Sequence, residues 1–120
     1  MITLYHNPRC SKSREALAIV EAFSQAHGVP LEIVDYQKTP LNLEQLRQLH
    51  RQLGSAGRDM VRTNEEEYAA LNLAQADDAG LLAALASHPR LLQRPVVVFR
   101  ERALIARPPE RLHAWLGQES

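Results

Sequence analysis

The apolar positions in the first third of the chain switch between the spacing of a strand and the spacing of a helix. Residues 2–5 alternate β-forming side chains and run into the His-Asn-Pro of residues 6–8, which predicts a short strand followed by a loop. From Ser13 onward, apolar residues recur at helical spacing until the Gly-Val-Pro of residues 28–30, which predicts a helix of about four turns. Residues 31–36 predict a second strand, so the chain is predicted to begin with a βαβ unit.

The middle of the chain has helical spacing only. Asn42 followed by Gln45 predicts a capping box that opens a helix, and four leucines give that helix an apolar stripe. Two further helices are predicted over residues 65–71 and 78–87. We therefore predict a helical insertion at about residues 41–90.

The last third of the chain returns to strand spacing. Residues 96–99 are a continuous run of β-branched and aromatic side chains, which is typical of a strand buried on both faces, and residues 103–106 lie within hairpin distance of it. A pair of prolines then introduces a last helix over residues 110–116. The summed pattern predicts an α/β protein with a thioredoxin-like fold, formed by residues 1–120 as a single domain. Its four-stranded mixed sheet is flanked by helices, and the insertion separates the βαβ half from the ββα half.

Pro95 stands directly before the third predicted strand. Thioredoxin-like folds carry a cis peptide bond at this position, beside the reactive thiol, so we predict that the Arg94-Pro95 bond is cis. The alternative is a trans proline that only marks the start of the strand, and frequency favours it because only about 5–6% of X-Pro bonds are cis. We predict the cis isomer because the predicted fold resembles thioredoxin-like folds.

The composition carries no strong charge signal. The 14 Lys and Arg residues balance the 14 Asp and Glu residues, so neither nucleic acid nor an acidic membrane surface is an expected partner. The sequence has no signal-peptide pattern and no apolar stretch long enough to span a membrane, which predicts a cytoplasmic protein. A chain of 120 residues can bury a sufficient core by itself, and we expect a monomer.

Cys10 is the only cysteine, and it lies in the loop between the first predicted strand and the first predicted helix. One cysteine can form neither an internal disulfide nor a four-cysteine zinc site, and no metal site is predicted. The free N–H groups and the positive dipole end of the helix favour the thiolate, so we predict that Cys10 is a nucleophile. The alternative is an inert buried cysteine, which is common, but the charged flanking residues argue against dry surroundings.

Polar residues around Cys10 are candidates for activating or supporting the thiol. Arg14 adds positive charge, Ser13 offers a hydroxyl donor, and His6 could orient or deprotonate the sulfur. A loop histidine that bonds only to backbone and an arginine that is a solvated surface charge are the alternatives.

Three arginines farther along the chain are candidates for binding an oxyanion. Arg94 and Arg107 flank the predicted strand hairpin, so adjacent strands could bring both guanidinium groups to the thiol loop as a clamp for a tetrahedral oxyanion. Arg62 is the third candidate. An arginine beside a strand is more often a surface residue, and the acidic run at residues 65–67 offers Arg62 an ion pair at the start of a helix instead.

The segment Tyr-His-Asn-Pro-Arg-Cys-Ser-Lys-Ser-Arg at residues 5–14 resembles the active-site segment of the glutaredoxin-linked arsenate reductase family, whose pattern is His-Asn-Pro-x-Cys-x-x-Ser-Arg. The resemblance covers nearly the whole chain. Other similar segments follow in the family's order: Arg62-Thr63-Asn64-Glu65, Tyr68, Leu71-Asn72-Leu73, His88-Pro89, Arg94-Pro95-Val96-Val97-Val98 and Arg107-Pro108-Pro109-Glu110.

The resemblance implies reduction of arsenate to arsenite through attack by the thiolate of Cys10. It implies that Arg62, Arg94 and Arg107 hold the oxyanion and its thiol adduct. Glutathione is the implied co-substrate and glutaredoxin the implied partner that regenerates the thiol, with no bound cofactor. A chain with no second cysteine suits this scheme, because the resolving thiol comes from another molecule.

This chain carries the Cys-Ser-Lys-Ser variant of the segment, whereas established members resemble Ala-Cys-Gly-Thr-Ser-Arg. The added positive charge of Arg9 and Lys12 would also attract phosphate and the carboxylates of glutathione. One alternative is therefore a glutathione-dependent thiol oxidoreductase that acts on another substrate. A second is a non-enzymatic regulator resembling Spx-type proteins, which bind RNA polymerase. Their Cys-x-x-Cys redox switch is absent here, because Ser13 occupies the second position.

Overall fold

The computed structural model describes residues 1–117. Its helices and strands are, in chain order, β1 (Ile2–His6), α1 (Ser11–His27), β2 (Leu31–Asp35), α2 (Leu43–Leu53), α3 (Glu66–Ala70), α4 (Asp78–Ser87), β3 (Val96–Phe99), β4 (Arg102–Ile105) and α5 (Arg111–Gly117). Short 3₁₀ turns lie at Gly57–Met60, Leu73–Gln75 and Pro89–Leu91. None of the helices described is both long and apolar enough to cross a membrane.

The chain divides into two compact units. Met1–Tyr36 and the chain from Arg94 onward form the first unit, which contains all four strands, and Gln37–Gln93 form the second, which is helical. The second unit contains the whole of the insertion that the sequence predicts at about residues 41–90.

The first unit is built on a four-stranded sheet in the order β2-β1-β3-β4. Strands β1 and β2 are parallel, whereas β1 with β3 and β3 with β4 are antiparallel. The predicted α/β class and mixed sheet of a thioredoxin-like fold are therefore confirmed. Residues from β1, β3, α1 and α5, together with Ala106 directly after β4, share one buried core: Ile2, Leu4, Ala16, Val20, Val97, Phe99, Ala106, Leu112, Trp115 and Leu116.

The second unit packs α2 and α4 together through buried leucines. The predicted capping box of α2 is present: Asn42 Oδ1 accepts from the N–H of Gln45 at 2.8 Å, and the Asn42 N–H donates to Gln45 Oε1 at 2.9 Å. Two loop segments of this unit also pair, because Val61 and Leu92 form an antiparallel bridge. Val61 itself is extended, with φ −112° and ψ 134°, and follows directly on the 3₁₀ turn that ends at Met60.

Two element boundaries differ from the prediction by one or two residues for reasons that the local backbone geometry shows. Helix α1 begins at Ser11 rather than Ser13, because Cys10 itself adopts the extended backbone of a cap residue. The β3–β4 connection has two residues rather than three, so β4 begins at Arg102. Both connecting residues, Arg100 and Glu101, have positive φ angles of 52° and 63°, as in a type I′ hairpin turn.

Glycine in place of Glu101 is expected to stabilise the protein by about 0.5–1 kcal/mol, because the left-handed backbone costs a side-chain-bearing residue more than glycine loses in chain entropy. Unfolding in urea measures the change. The same substitution at Glu21, within α1, is the control and should destabilise by about 1 kcal/mol. Equal destabilisation by both variants would contradict a strained turn.

Candidate active site

Cys10 lies at the point where the loop after β1 enters α1, and it is partly buried. Its backbone is extended, with φ −97° and ψ 124°, and the helix begins with the next residue. The first N–H groups of a helix have no partner within the helix. The sulfur is therefore held next to unpaired backbone donors.

Asn7 holds the loop that carries the thiol. Its Oδ1 accepts from the N–H of Arg9 at 3.1 Å, its carbonyl accepts from the N–H of Cys10 at 3.0 Å, and only 8% of Asn7 is exposed. Asn7 was recognised in the sequence only as part of a motif, and this role was not predicted. The available signal is the Asn-Pro pair, because an asparagine side chain that accepts a hydrogen bond from the N–H two residues later is a common turn device.

Arg14 braces the same loop from the helix. Its Nη1 donates to the carbonyl of Pro8 at 2.9 Å, and its backbone N–H donates to the carbonyl of Cys10 at 3.0 Å. The guanidinium contacts the backbone of the loop. Arg14 thus contributes to the shape of the loop.

The pKa of the Cys10 thiol is lowered from its ordinary value, although several causes compete. Burial raises the pKa, and it is outweighed by the backbone N–H of Ser13, by the positive charge of Arg94 and its side-chain hydrogen bond, and by the backbone N–H of Lys12. All of these donors stabilise the thiolate. The site therefore favours the nucleophilic form of the cysteine.

Arg94 is the cation that the structure brings to the thiol. Its Nε and Nη1 are buried, and no atom of residues 1–117 accepts a hydrogen bond from either of them. The Arg94-Pro95 peptide bond is cis, the isomer that the sequence predicts. A guanidinium that interacts with the sulfur and still has unused buried donors can bind an anion at the thiol.

Arg107 lies opposite Arg94 at the base of the β3–β4 hairpin. Val96 pairs with Ile105, the N–H of Ala106 donates to the carbonyl of Pro95 at 2.9 Å, and Arg107 Nη1 donates to the carbonyl of Arg94 at 3.0 Å. The side chain of Arg107 is exposed. The Arg107-Pro108 bond is also cis, which was not predicted from the sequence.

His6 reaches the thiol loop through Ser13, which is fully buried. His6 Nδ1 lies 2.7 Å from Ser13 Oγ, and the N–H of Asn7 donates to the same hydroxyl at 3.0 Å. Burial lowers the pKa of His6, as does the charge of Arg14, against the opposing effect of Asp35. The lowered pKa favours the neutral imidazole, and the tautomer of that ring sets which of Nδ1 and the Ser13 hydroxyl donates to the other.

Arg62 belongs to the second unit, where its side chain is paired with Glu65. The other carboxylate oxygen of Glu65 accepts from Arg90 Nη2 at 3.1 Å, and only 15% of the Glu65 side chain is exposed. This is the ion pair that the acidic run suggested as the alternative for Arg62. A role for Arg62 in oxyanion binding stays a prediction.

Across residues 1–117, the structure contains no group of three or more His, Cys, Asp or Glu side chains arranged to hold a metal ion. The chemistry that the arrangement supports is that of a thiolate beside an arginine with free donors.

A thioredoxin-like sheet with one activated cysteine at the start of its first helix defines a thiol protein of the thioredoxin class. Residues 5–115 match the model of the ArsC family, and the chain belongs to that family. It is 41% identical over 118 residues to an arsenate reductase of Neisseria meningitidis, a match that covers 96% of this chain and 97% of the relative.

Two further comparisons extend this picture. The chain is 40% identical over 119 residues to a protein of Escherichia coli K12 named uncharacterized protein YfgD, covering 97% of each. Among solved structures, the arsenate reductase from Vibrio cholerae matches with a TM-score of 0.85 and 42% identity, covering 94% of this chain and 95% of that chain. Sequence and structure thus agree on the arsenate reductase family.

Proposed function

We propose that this protein is an arsenate reductase that uses glutathione and glutaredoxin and carries out its chemistry at Cys10. The observation that supports this most strongly is Arg94, which interacts with the thiol and has buried Nε and Nη1 donors with no acceptor in residues 1–117. Unpaired buried donors are costly, and an oxyanion bound at the thiol would supply the acceptors. The names of the relatives suggest that this oxyanion is arsenate.

In the first step, the Cys10 thiolate attacks arsenic(V). A sulfur–arsenic bond forms, and one oxygen of arsenate leaves as water after taking up protons. Arg94 supports this step by holding the oxyanion and by stabilising the charge that moves from sulfur onto oxygen.

In the second step, glutathione supplies the other sulfur. The two sulfurs join as a disulfide, the electron pair of the sulfur–arsenic bond passes to arsenic, and arsenic(V) becomes arsenic(III) and leaves as arsenite. Cys10 and glutathione are together oxidised by two electrons. A glutaredoxin thiolate then attacks the glutathione sulfur of the mixed disulfide, which returns the Cys10 thiolate.

We assign the supporting roles by the contacts of each residue. Arg107 braces the backbone of Arg94, and its exposed guanidinium keeps further donors for the oxyanion or for its thiol adduct. For Arg62 the same role rests on the family resemblance alone. Ser13, His6 and Arg14 maintain the loop that presents the sulfur.

The cellular setting follows from the chemistry of the proposed reaction. Glutathione and glutaredoxin are abundant in a reducing cytoplasm, where we place the protein, and the reaction needs no bound cofactor. We propose that the chain works as a monomer, with glutaredoxin as a transient partner.

The test is arsenate-dependent oxidation of NADPH, coupled through glutathione reductase, glutathione and glutaredoxin. We expect turnover with the native protein and none with Cys10→Ser, which keeps a similar size but lacks the thiol. If the folded native protein, with a Cys10 that alkylates readily near neutral pH, gives no arsenate-dependent oxidation, arsenate is not the substrate.

The cations Arg9 and Lys12 on either side of Cys10 favour one second candidate, a glutathione-dependent oxidoreductase with another substrate. The same coupled assay distinguishes it when hydroxyethyl disulfide replaces arsenate. Turnover that needs Cys10, occurs with the disulfide and is absent with arsenate would select this candidate.

A further inference from the structure

Two exposed cations lie next to Cys10 in the chain. Arg9 and Lys12 flank Cys10 in the chain, both are exposed, and the first turn of α1 contains no acidic residue. Lys12 has one loose ion pair, with Glu15 at 3.5 Å, in which both side chains are about half exposed (49% and 53%). No carboxylate of residues 1–117 pairs with Arg9, whose backbone is nevertheless fixed by Asn7.

The oxyanion site has no need of these two cations. The thiolate is stabilised by backbone N–H groups and by Arg94, and the arginine with unused buried donors is Arg94 as well. The exposed side chains of Arg9 and Lys12 therefore carry positive charge next to Cys10 in the chain that is available to the larger reactant of the thiol reaction. That reactant is the second thiol or the disulfide formed from it.

We infer that Arg9 and Lys12 select anionic thiols and disulfides for reaction with Cys10, by attracting the carboxylates of the incoming molecule. This inference rests on the proposed thiol chemistry and names the class of molecule that the site takes in its second step. The charges act over a distance of about 10 Å at 0.1 M salt, which is enough to cover a molecule of tripeptide size docked at the sulfur.

The disulfide exchange that reveals this selection needs no reactant other than Cys10 and the disulfide. The Cys10 thiolate attacks one sulfur of a disulfide, a new sulfur–sulfur bond forms, the old one breaks, and the second half leaves as a thiolate. The disulfide is the oxidant. The reaction can therefore be followed in the absence of arsenate, so its outcome is independent of whether arsenate is the substrate.

The experiment compares the exchange rates of Cys10 with oxidised glutathione, which is anionic, and with cystamine, which is cationic. Each rate is divided by the rate at which the same disulfide reacts with a small neutral thiol. This division removes the difference in intrinsic reactivity between the two disulfides. The ratio of the two normalised rates is the measure of charge selection. A change in the thiol pKa affects both rates equally, so it cancels in this ratio.

For the native protein we expect a ratio above about 10 at low salt, which falls towards 1 at about 1 M salt. Arg9→Gln and Lys12→Gln should each lower the low-salt ratio by about threefold. Arg100→Gln is the matched control, because it removes one positive charge far from the thiol. Arg100 lies at the turn after β3, whereas Arg94, which interacts with the thiol, precedes that strand. Those two positions are about 20 Å apart along the extended chain.

Two results would overturn the inference. One is a ratio that neither Arg9→Gln nor Lys12→Gln changes, and the other is an equal fall in Arg100→Gln, which would indicate net charge rather than a local effect. Failure of the arsenate assay with the charge selection intact would overturn the proposed substrate and leave this inference standing.

Discussion

Replacing Arg94 with methionine is expected to raise the pKa of the Cys10 thiol and to reduce arsenate turnover by about a hundredfold. The guanidinium supplies both a positive charge and a hydrogen bond that favour the thiolate, and methionine fills similar space without either. The loss of turnover is expected because the donors proposed for the oxyanion disappear together with the charge. The pH dependence of the alkylation rate reports the pKa, and the coupled assay reports turnover.

The direction of the pH effect follows from the sign of the shift. Because the native pKa is lowered, the thiolate is populated at a lower pH than in an ordinary cysteine, and the alkylation profile of Arg94→Met should move to higher pH. Compared with Arg94→Met, Arg94→Lys should restore part of the lowering of the thiol pKa, because lysine keeps the positive charge. It should restore little of the turnover, because lysine lacks the planar fork of donors. If the alkylation rate of Arg94→Met depended on pH as in the native protein, Arg94 would not stabilise the thiolate. Arg100→Met serves as the control.

Replacing Ser13 with alanine is expected to lower the free energy of unfolding by about 1–3 kcal/mol. The Ser13 hydroxyl is fully buried and serves both the N–H of Asn7 and Nδ1 of His6, and its removal leaves these two groups without that partner. Unfolding in urea measures the loss. Ser11→Ala is the matched control, because Ser11 lies on the same turn of α1 but is exposed, and it should change stability by less than about 0.5 kcal/mol.

The same variant separates two contributions of Ser13. Its backbone N–H, which stabilises the thiolate, remains in Ser13→Ala, so the alkylation profile should change much less than in Arg94→Met. Equal stability losses in Ser13→Ala and Ser11→Ala would contradict a buried hydrogen-bond network at this position.

The pattern of apolar residues was sufficient to predict the four strands of the sheet and the order of strands and helices along the chain. It missed the start of α1 because Ser11 and Lys12 are polar and carry no periodic signal, while the cap geometry belongs to Cys10. It also missed the two-residue turn, because Arg100 and Glu101 lack the Asn-Gly signature of positive φ angles. Pairing across the hairpin dictates that turn, and local sequence does not reveal it.

Contacts within the candidate site were predictable where the predicted helices and strands alone bring the residues together, and less so elsewhere. The position of Cys10 before a helix follows from the chain itself, and the hairpin brings Arg94 and Arg107 together, because both lie at its base. The partners of buried side chains depend on three-dimensional packing. The link from His6 to Ser13 was therefore visible only in the structure, whereas the pairing of Arg62 with Glu65, three residues apart, was the alternative that the acidic run had suggested.

The most direct measurement of the central claim is a single turnover with arsenate and glutathione in the absence of glutaredoxin. The proposed chemistry predicts about one arsenite per protein molecule, together with an equal amount of protein carrying glutathione in a disulfide with Cys10, as detected by intact mass. Cys10→Ser should give neither product. Arsenite formed at the same rate with and without the Cys10 thiol, or no arsenite from a protein whose Cys10 is reactive, would contradict the account.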